Sequence, residues 1–386
     1  MADNTNIELN EQNSAAAELQ EVLDATEEKI FYASQWRLMW WNFRKHKVAM
    51  IAGVIIIFMY ICAIFAPLIA PYGQTERHRG YTYVPPQRVR FRDENGFSLR
   101  PFVHPLTVEV DMESFQRIYV ENTDTRIPIK FFVHGTEYKI LGLFTCDLHL
   151  FGVDDGYVHL FGTDNLGRDV FSRVLYGSQI SMSIGLVGVF LSLLLGLIFG
   201  GISGYYGGIV DNIIQRLIEV IRSFPEIPLW MALSAAIPAD ISPVLVYLGI
   251  TIILSFIGWT ALGRQVRSKV LALKNEDFVV AARLAGTSEP KIIMTHLIPS
   301  FMSHIIASLT LNIPSMILAE TSLSFLGIGL RPPVVSWGVM LQQAQNVHTI
   351  TMAPWLLIPG IFVILYVLAF NFLGDGLRDA ADPYGN

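Results

Sequence analysis

Three polar side chains stand in or beside long apolar runs of the sequence: Glu219, Asn312 and Glu320. A polar or charged group in lipid is unfavourable by several kcal/mol unless it faces a cavity or a partner, so each is a candidate for contact with a solute pathway. The same groups can instead hydrogen-bond a neighbouring helix or lie at the membrane interface. Both interpretations stay open, and the structural one is favoured for Glu320.

Catalytic chemistry is not indicated. The sequence contains no G-x-x-x-x-G-K-[ST] loop, no H-E-x-x-H and no G-x-S-x-G motif. His296 and His304 are eight residues apart and have no Cys or Asp partner nearby, so they do not form a convincing metal site. No basic, aromatic-rich patch indicates nucleic-acid binding. We therefore expect no catalytic residue, no metal site and no cofactor bound by this chain.

The apolar runs predict an all-α polytopic membrane protein. Of the 386 residues, 52% are hydrophobic and 16% are charged, whereas soluble domains are about one quarter charged. Several uncharged blocks are long enough to cross roughly 30 Å of hydrocarbon. Six transmembrane helices are predicted, at 48–66, 177–210, within 213–237, and at 243–262, 297–319 and 355–373.

The third of these crossings is the least regular. Only 13 residues between Glu226 and Asp240 lack a charge, which is too few to span the bilayer. We therefore expect its helix to begin earlier, with Glu219 at or inside the membrane boundary.

The charge distribution predicts the orientation of the chain. Residues 1–28 carry eight acids and no Lys or Arg, unlike a signal peptide. These residues indicate an acidic cytoplasmic tail that is helical from Ser14. An interfacial helix is expected after the tail, and the two together make up the region 1–47. The loop between the fourth and fifth crossings holds six basic residues, against Arg331 alone in the next loop. Basic loops stay inside, so this loop and both termini are expected in the cytoplasm. The six are Arg264, Arg267, Lys269, Lys274, Arg283 and Lys291.

Residues 72–160, which follow the first membrane segment at 48–71, have a different character. Apolar residues alternate with polar ones around 88–92, 106–110 and 127–140, and turns are expected at 93–96 and at His134-Gly135. This period of two is typical of hairpins. We predict a β-rich extracytoplasmic insert, followed by a transmembrane core at 161–386. Cys62 and Cys146 lie in different environments, so no disulfide is expected.

The loop at 263–299 contains two short helical patterns separated by Gly286. Ala281, Ala282 and Ala285 are small residues at helical spacing, and Thr287 or Ser288 can cap a second helix with Pro290 just inside it. Ala281-Ala282, Gly286 and Pro299 match the spacing of the coupling loop of ABC-importer permeases. Val280 stands where that family often has Glu. The resemblance implies that Phe278, Val280, Ala281, Ala282, Arg283, Ala285, Gly286, Thr287, Ser288 and Pro299 contact an ATPase.

Other segments resemble the oligopeptide, dipeptide and nickel branch of this family. Residues 161–177, with Gly162-Thr-Asp and Gly167-Arg-Asp, are similar to the signature before the second crossing. Thr163 and Asp164 are expected to cap a short surface helix carrying Val170 and Val174. Further similarity lies at 206–225, 320–340 and 376–383. The resemblance covers 30–73 and 160–386 and leaves the insert unexplained.

The resemblance implies a permease subunit of a type I ABC importer in a bacterial inner membrane. Its expected partners are a homologous second permease, two ATPases that hold ATP and Mg, an extracytoplasmic binding protein and the lipid bilayer. Peptides are the expected cargo, and oligosaccharides or metal chelates are the alternatives. A stand-alone channel or membrane enzyme is the alternative of a different class; it would act without an ATPase.

Overall fold

The structure is a computed structural model that describes residues 35–94, 96–110, 112, 117–140, 144–238 and 241–381. The predicted acidic tail and its helix from Ser14 lie outside these residues. Within the described residues, the helices before the insert are α1 (Gln35–Phe43), α2 (Lys47–Ile64) and α3 (Ala66–Ile69). Met39 and Phe43 of α1 are buried against Ala49 and Ala380. The helix α1 therefore packs against the start of α2 and against the last helix of the described chain.

In the part of the insert that the structure describes, seven strands lie between the first two long helices. They form antiparallel groups with the orders β1-β2-β5, β3-β4 and β6-β7. Their bounds are β1 Arg90–Asp93, β2 Gly96–Val103, β3 Leu106–Val110, β4 Arg117–Glu121, β5 Ile127–Pro128, β6 Lys130–Ile140 and β7 Phe144–Gly152.

One of the two turns predicted in this region is present and the other is wrong. Asp93 pairs with Gly96 across the turn between β1 and β2. His134 and Gly135 instead lie within β6, where the register with β7 is irregular between His134 and Tyr138. Such an irregularity lets a strand bend and continue, so a His-Gly pair does not have to end it.

The remaining helices run from the end of the insert to the end of the described chain. They are α4 (Val170–Tyr206), α5 (Gly208–Ser223), α6 (Glu226–Ala235), α7 (Pro243–Leu273), α8 (Asp277–Leu284), α9 (Glu289–Lys291), α10 (Ile298–Ser300), α11 (Met302–Phe325), α12 (Trp337–Gln342), α13 (Val347–Met352) and α14 (Ile358–Ala381). A π-helical turn, Ile292–Leu297, joins α9 to α10, and a 3-10 turn, Pro354–Leu357, leads into α14.

Five helical segments of the described chain are long and apolar enough to cross a membrane: α2, α4, α7, α11 and Pro354–Ala381. The continuous third helix expected from the sequence is wrong. Phe224 is extended, and it separates α5 from α6. Pro225 explains the break, because proline disfavours the α conformation at the residue before it and has no N–H to donate.

The short surface helix expected before the second crossing is also wrong, because α4 runs unbroken for 37 residues. Its cap is Asp169, whose carboxylate accepts a hydrogen bond from the Ser172 backbone N–H at 2.7 Å. The expected cap, Asp164, instead accepts a hydrogen bond from Arg168 Nε at 2.7 Å and pairs with Arg173.

The long helices pack around one core. Ile184 of α4, Leu254 of α7, Ile317 of α11 and Tyr366 of α14 are buried in the same cluster. Small residues let α4 and α7 approach closely: a Cβ on Gly200 would lie 2.5 Å from the Gly263 carbonyl oxygen. Close backbone contact of this kind is how helices associate in lipid, where burial of apolar surface supplies little driving force.

Candidate functional site

The loop between α7 and α11 folds into a compact element, residues 276–300, called the loop element below. Its first helix, α8, ends at a turn where Gly286 has φ +77°, a left-handed conformation that favours glycine. The Gly286 and Thr287 backbone N–H groups donate to the carbonyls of Arg283 and Ala282 at 3.0 and 3.1 Å. Hydrogen bonds of this kind satisfy carbonyls that the helix end would leave unpaired.

The second half of the loop element starts at the residue that the sequence indicates. Ser288 occupies the N-cap position of α9, with Pro290 in the first turn. The Ser288 side chain makes no capping hydrogen bond, so Ser288 occupies the N-cap position without its hydroxyl pairing a backbone N–H of the helix. Pro299 lies in the first turn of α10 and is exposed.

The inner face of the loop element is packed onto the long helices. Val279 and Ile292 are fully buried in one cluster with Val266 and Val270 of α7 and with Phe301, the residue just before α11. Because packed cores are stiff, a displacement of the loop element has to be shared by α7 and α11.

The outer face of the loop element is apolar and exposed. Phe278, Val280 and Leu284 expose 42%, 40% and 84% of their surface, and Ala281 and Ala285 are exposed beside them. Ala282 is only partly exposed and packs against the buried cluster. An exposed patch of this composition is typical of a surface that another protein covers.

Polar contacts tie the loop element and α7 to the ends of α4 and α5. The Arg283 guanidinium lies 5.8 Å from the ring centre of Tyr205, near the end of α4. Arg267 Nε of α7 donates to the Asp211 carboxylate of α5 at 2.6 Å. Lys274 Nζ lies 3.4 Å from the Gly204 carbonyl oxygen. The loop element, the end of α4 and the start of α5 therefore lie on one side of the protein.

Glu320, one of the three pathway candidates, is fully buried. Its carboxylate accepts hydrogen bonds from the hydroxyls of Ser324 and Ser336, both at 2.8 Å, and from Ser181 at 3.3 Å. Ser181 and Ser336 in turn accept the backbone N–H groups of Trp337 and Val339. Glu320 thus joins α4, α11 and the start of α12, and this geometry favours a structural role over contact with a solute.

Glu219 is half exposed and forms an ion pair with Arg216 at 2.6 Å, one turn earlier on α5. Asn312 lines a cavity between α4, α7, α11 and the break that separates α5 from α6. This cavity, called the central cavity below, has a volume of about 250 Å³. Its polar lining consists of Ser192, Arg222, Glu226, Trp230, Thr260, Asn312 and Ser315.

Arg222 and Glu226 were not among the candidates drawn from the sequence. The signal that could have found them is their position on either side of Pro225, just before the uncharged segment that is too short to span alone. Broken backbone at membrane depth is tolerated only where it is buried in protein or lines a cavity. Charges beside such a break are therefore candidates for contact with a solute.

Residues 179–384 match the family model of the binding-protein-dependent transport system inner membrane component, which is more than half of the chain. The chain belongs to this family. Residues 34–86 also match the model of the N-terminal TM domain of oligopeptide transport permease C. The predicted membership of the oligopeptide and dipeptide importer group is therefore confirmed.

Curated relatives from this transport family align in sequence with more than half of the chain. The glutathione transport system permease protein GsiD of Escherichia coli O6:K15:H31 is 34% identical over 349 residues, 90% of each protein. The dipeptide transport system permease protein DppC of Bacillus subtilis strain 168 is 41% identical over 227 residues, 58% of this chain and 68% of DppC. A solved MetNI methionine ABC transporter chain is 17% identical, with a TM-score of 0.42, and covers 54% of this chain and 96% of its own.

Membership of the family fixes the broad role of the protein. It is a multi-pass inner-membrane permease component of an ABC importer, with the type I importer fold. Its relatives are transport subunits and not enzymes, so the prediction that this chain catalyses no reaction is confirmed. The alternative of a stand-alone channel or membrane enzyme is not supported. An importer permease of this kind works with an ATPase and a binding protein.

Proposed function

We propose that the chain forms half of the transmembrane pathway of an importer for short peptides, together with a homologous second permease. The observation that carries the proposal is the loop element, whose outer face is exposed and apolar while its inner face is packed onto α7 and α11. The names of the two curated relatives, a dipeptide permease and a glutathione permease, support short peptides as the cargo.

The proposed topology has six crossings, with α5 and α6 together making the third. The loop element and both termini lie in the cytoplasm, and the 72–160 insert lies outside. The excess of Lys and Arg in the 263–291 loop supports this orientation. The contact of Arg283 with Tyr205 also supports it, because α4 would then begin at the insert and end beside the loop element.

The proposed mechanism passes force from ATPases to the helices. Two ATPase subunits hold ATP and Mg, and each contacts a loop element, here through Phe278, Val280 and Leu284. Closure of the ATPase pair moves the loop elements, and the cluster around Val279 and Ile292 transmits the motion to α7 and α11. The pathway then alternates between two helix packings that differ by a few kcal/mol, and a binding protein delivers the solute from outside.

Leu284→Glu tests the proposal. A charge on this exposed side chain leaves the fold intact but opposes docking, and we expect ATPase recovery on purification of the permease to fall about tenfold or more, as for a hot-spot residue worth about 2 kcal/mol. ATP-driven uptake of a dipeptide should fall with it. Leu99→Glu is the matched control, because Leu99 is 87% exposed in the insert.

Undiminished ATPase recovery with Leu284→Glu would contradict the proposed coupling surface. Uptake of an oligosaccharide or a metal chelate in place of peptides by the wild-type complex would contradict the proposed cargo and leave the coupling surface standing.

A further inference from the structure

The central cavity lies between the middle parts of the helices that line it. Its lining residues fall near the middle of each helix that contributes to it: 189 and 192 in α4 (Val170–Tyr206), 254–262 in α7 (Pro243–Leu273) and 309–319 in α11 (Met302–Phe325). Arg222 and Glu226 likewise lie near the middle of the stretch between the start of α5 at Gly208 and the end of α6 at Ala235. The cavity is therefore far from both ends of the helices that line it.

Arg222 and Glu226 lie in this cavity on opposite sides of the break between α5 and α6. Arg222 is in the last turn of α5, and Glu226 is the first residue of α6. Both are exposed, and among the described residues neither forms an ion pair. Unpaired charges at membrane depth are expensive and mark solute or ion pathways.

A third polar group at the cavity lacks a partner. The Trp230 indole Nε1 is buried and has no hydrogen-bond acceptor within the described part of the chain. A buried donor without a partner loses roughly 1–3 kcal/mol of free energy, so it indicates an acceptor that is present only in the working complex. The central cavity therefore offers a cation, an anion and a free donor, and the Asn312 amide can both donate and accept.

We propose that the central cavity is a subsite for a short peptide with free termini, in which Arg222 binds the terminal carboxylate and Glu226 binds the terminal ammonium group. This inference rests on the proposed function as a peptide importer. A guanidinium matches a carboxylate with two parallel hydrogen bonds. Trp230 Nε1 and the Asn312 amide then hydrogen-bond the peptide group, which every peptide contains whatever its side chains.

The volume of the central cavity is smaller than that of a complete ligand-binding site. Its volume of about 250 Å³ lies below the range of roughly 300–1,000 Å³ typical of ligand pockets. The exposure of Arg222 and Glu226 shows that the cavity is open on their side. A second permease placed there would complete the enclosure and exclude water, which strengthens both charge contacts.

The test uses the whole complex of both permeases, the ATPases and the binding protein in proteoliposomes, with a radiolabelled dipeptide and ATP hydrolysis measured together. In Arg222→Gln and Glu226→Gln, we expect the amount of peptide transported per ATP to fall about tenfold, as for loss of one charge-assisted hydrogen bond. ATP hydrolysis stimulated by the loaded binding protein should be retained. Arg222→Lys should recover part of the loss, because it keeps the charge without the paired hydrogen bonds.

Arg216→Gln and Glu219→Gln are matched controls, since this exposed pair lies on α5 but outside the cavity lining. An unchanged ratio in both cavity variants would overturn the subsite. A parallel fall of uptake and hydrolysis, or reduced recovery of the second permease, would also overturn it, because both outcomes indicate a structural contact. Failure of the wild-type complex to transport any peptide would instead refute the proposed cargo.

Discussion

Glu320 and Glu226 both lie within the helical bundle of this permease, but their surroundings differ. Glu320 is enclosed and accepts hydrogen bonds from three serines on three different segments. Glu226 lines an open cavity and has no ion-pair partner among the described residues. The first arrangement fixes helices in place, and the second leaves a charge available to a solute. The sequence alone does not separate them, because Ser181, Ser324 and Ser336 are far apart in the chain.

Glu76 lies outside the candidate membrane-spanning helices, and its carboxylate contacts β6 of the insert through Thr136. The hydrogen bond from His78 lowers the pKa of its carboxyl to about 2, with further hydrogen bonds from Gly73 N–H and the Thr136 hydroxyl. A lowered pKa means that ionised Glu76 stabilises the fold above its usual pKa of 4.5. This contribution is lost as the pH falls from 4.5 towards 2.

We therefore predict that Glu76→Gln loosens the β6–β7 hairpin at pH 6 and that its difference from wild type shrinks as the pH approaches 2. Hydrogen exchange of the backbone amides in 130–152, followed from pH 6 to pH 2.5 and corrected for the intrinsic rate, measures this. His134→Gln is a suitable control, because the exposed His134–Asp147 pair lies in the same hairpin and outside the Glu76 contacts. A difference between Glu76→Gln and wild type that stays constant over this pH range would contradict the prediction.

At the scale of the element, the contact between α4 and α7 depends on glycines. A Cβ on Gly200 would lie 2.5 Å from the Gly263 carbonyl oxygen, a distance that backbone atoms cannot relieve without moving the helices. We predict that Gly200→Ala destabilises the purified permease by about 1–3 kcal/mol, the usual effect of overpacking. The loss of thermal stability in detergent, followed by tryptophan fluorescence, measures it.

Gly53→Ala provides the matched control for this substitution. Gly53 also lies within a helix, α2, and its added Cβ would meet only Leu373 at an ordinary distance of 3.6 Å. Both variants gain the same helix propensity, so the difference between them isolates the packing contact. Equal melting temperatures for the two variants would show that α4 and α7 are free to separate.

The same elements show what the sequence can predict. Glycines at 196, 200 and 204 recur at helical spacing, so close packing of α4 is readable from local pattern alone. The left-handed turn at Gly286 and the helix start at Ser288 are also local features, and both are present. The break between α5 and α6 is marked in the sequence by Pro225, whereas the short length of the uncharged segment favours one continuous helix. The central cavity is lined by α4, α5, α6, α7 and α11, and no local pattern of the sequence brings α11 together with the other four helices.

At the scale of the whole molecule, the loop element and the 72–160 insert contact opposite ends of α4. The insert leads through Asp169 into the first turn of α4, whereas the loop element contacts Tyr205 near its end. Because α4 has 37 residues, it is about 55 Å long, which exceeds the roughly 30 Å hydrocarbon layer. The two regions must therefore face different sides of the membrane if α4 crosses it.

We predict that thiol labelling resolves these two sides. In a Cys62→Ser, Cys146→Ser background, Leu99→Cys should react with a membrane-impermeant maleimide in spheroplasts. Asn275→Cys, in the exposed turn before the loop element, should react only after the membrane is permeabilised. Labelling of both variants in denatured samples confirms that each thiol is reactive. Reaction of Asn275→Cys from outside intact cells would invert the orientation. It would remove the loop element from the reach of any cytoplasmic ATPase, and the proposed coupling mechanism would fall with it.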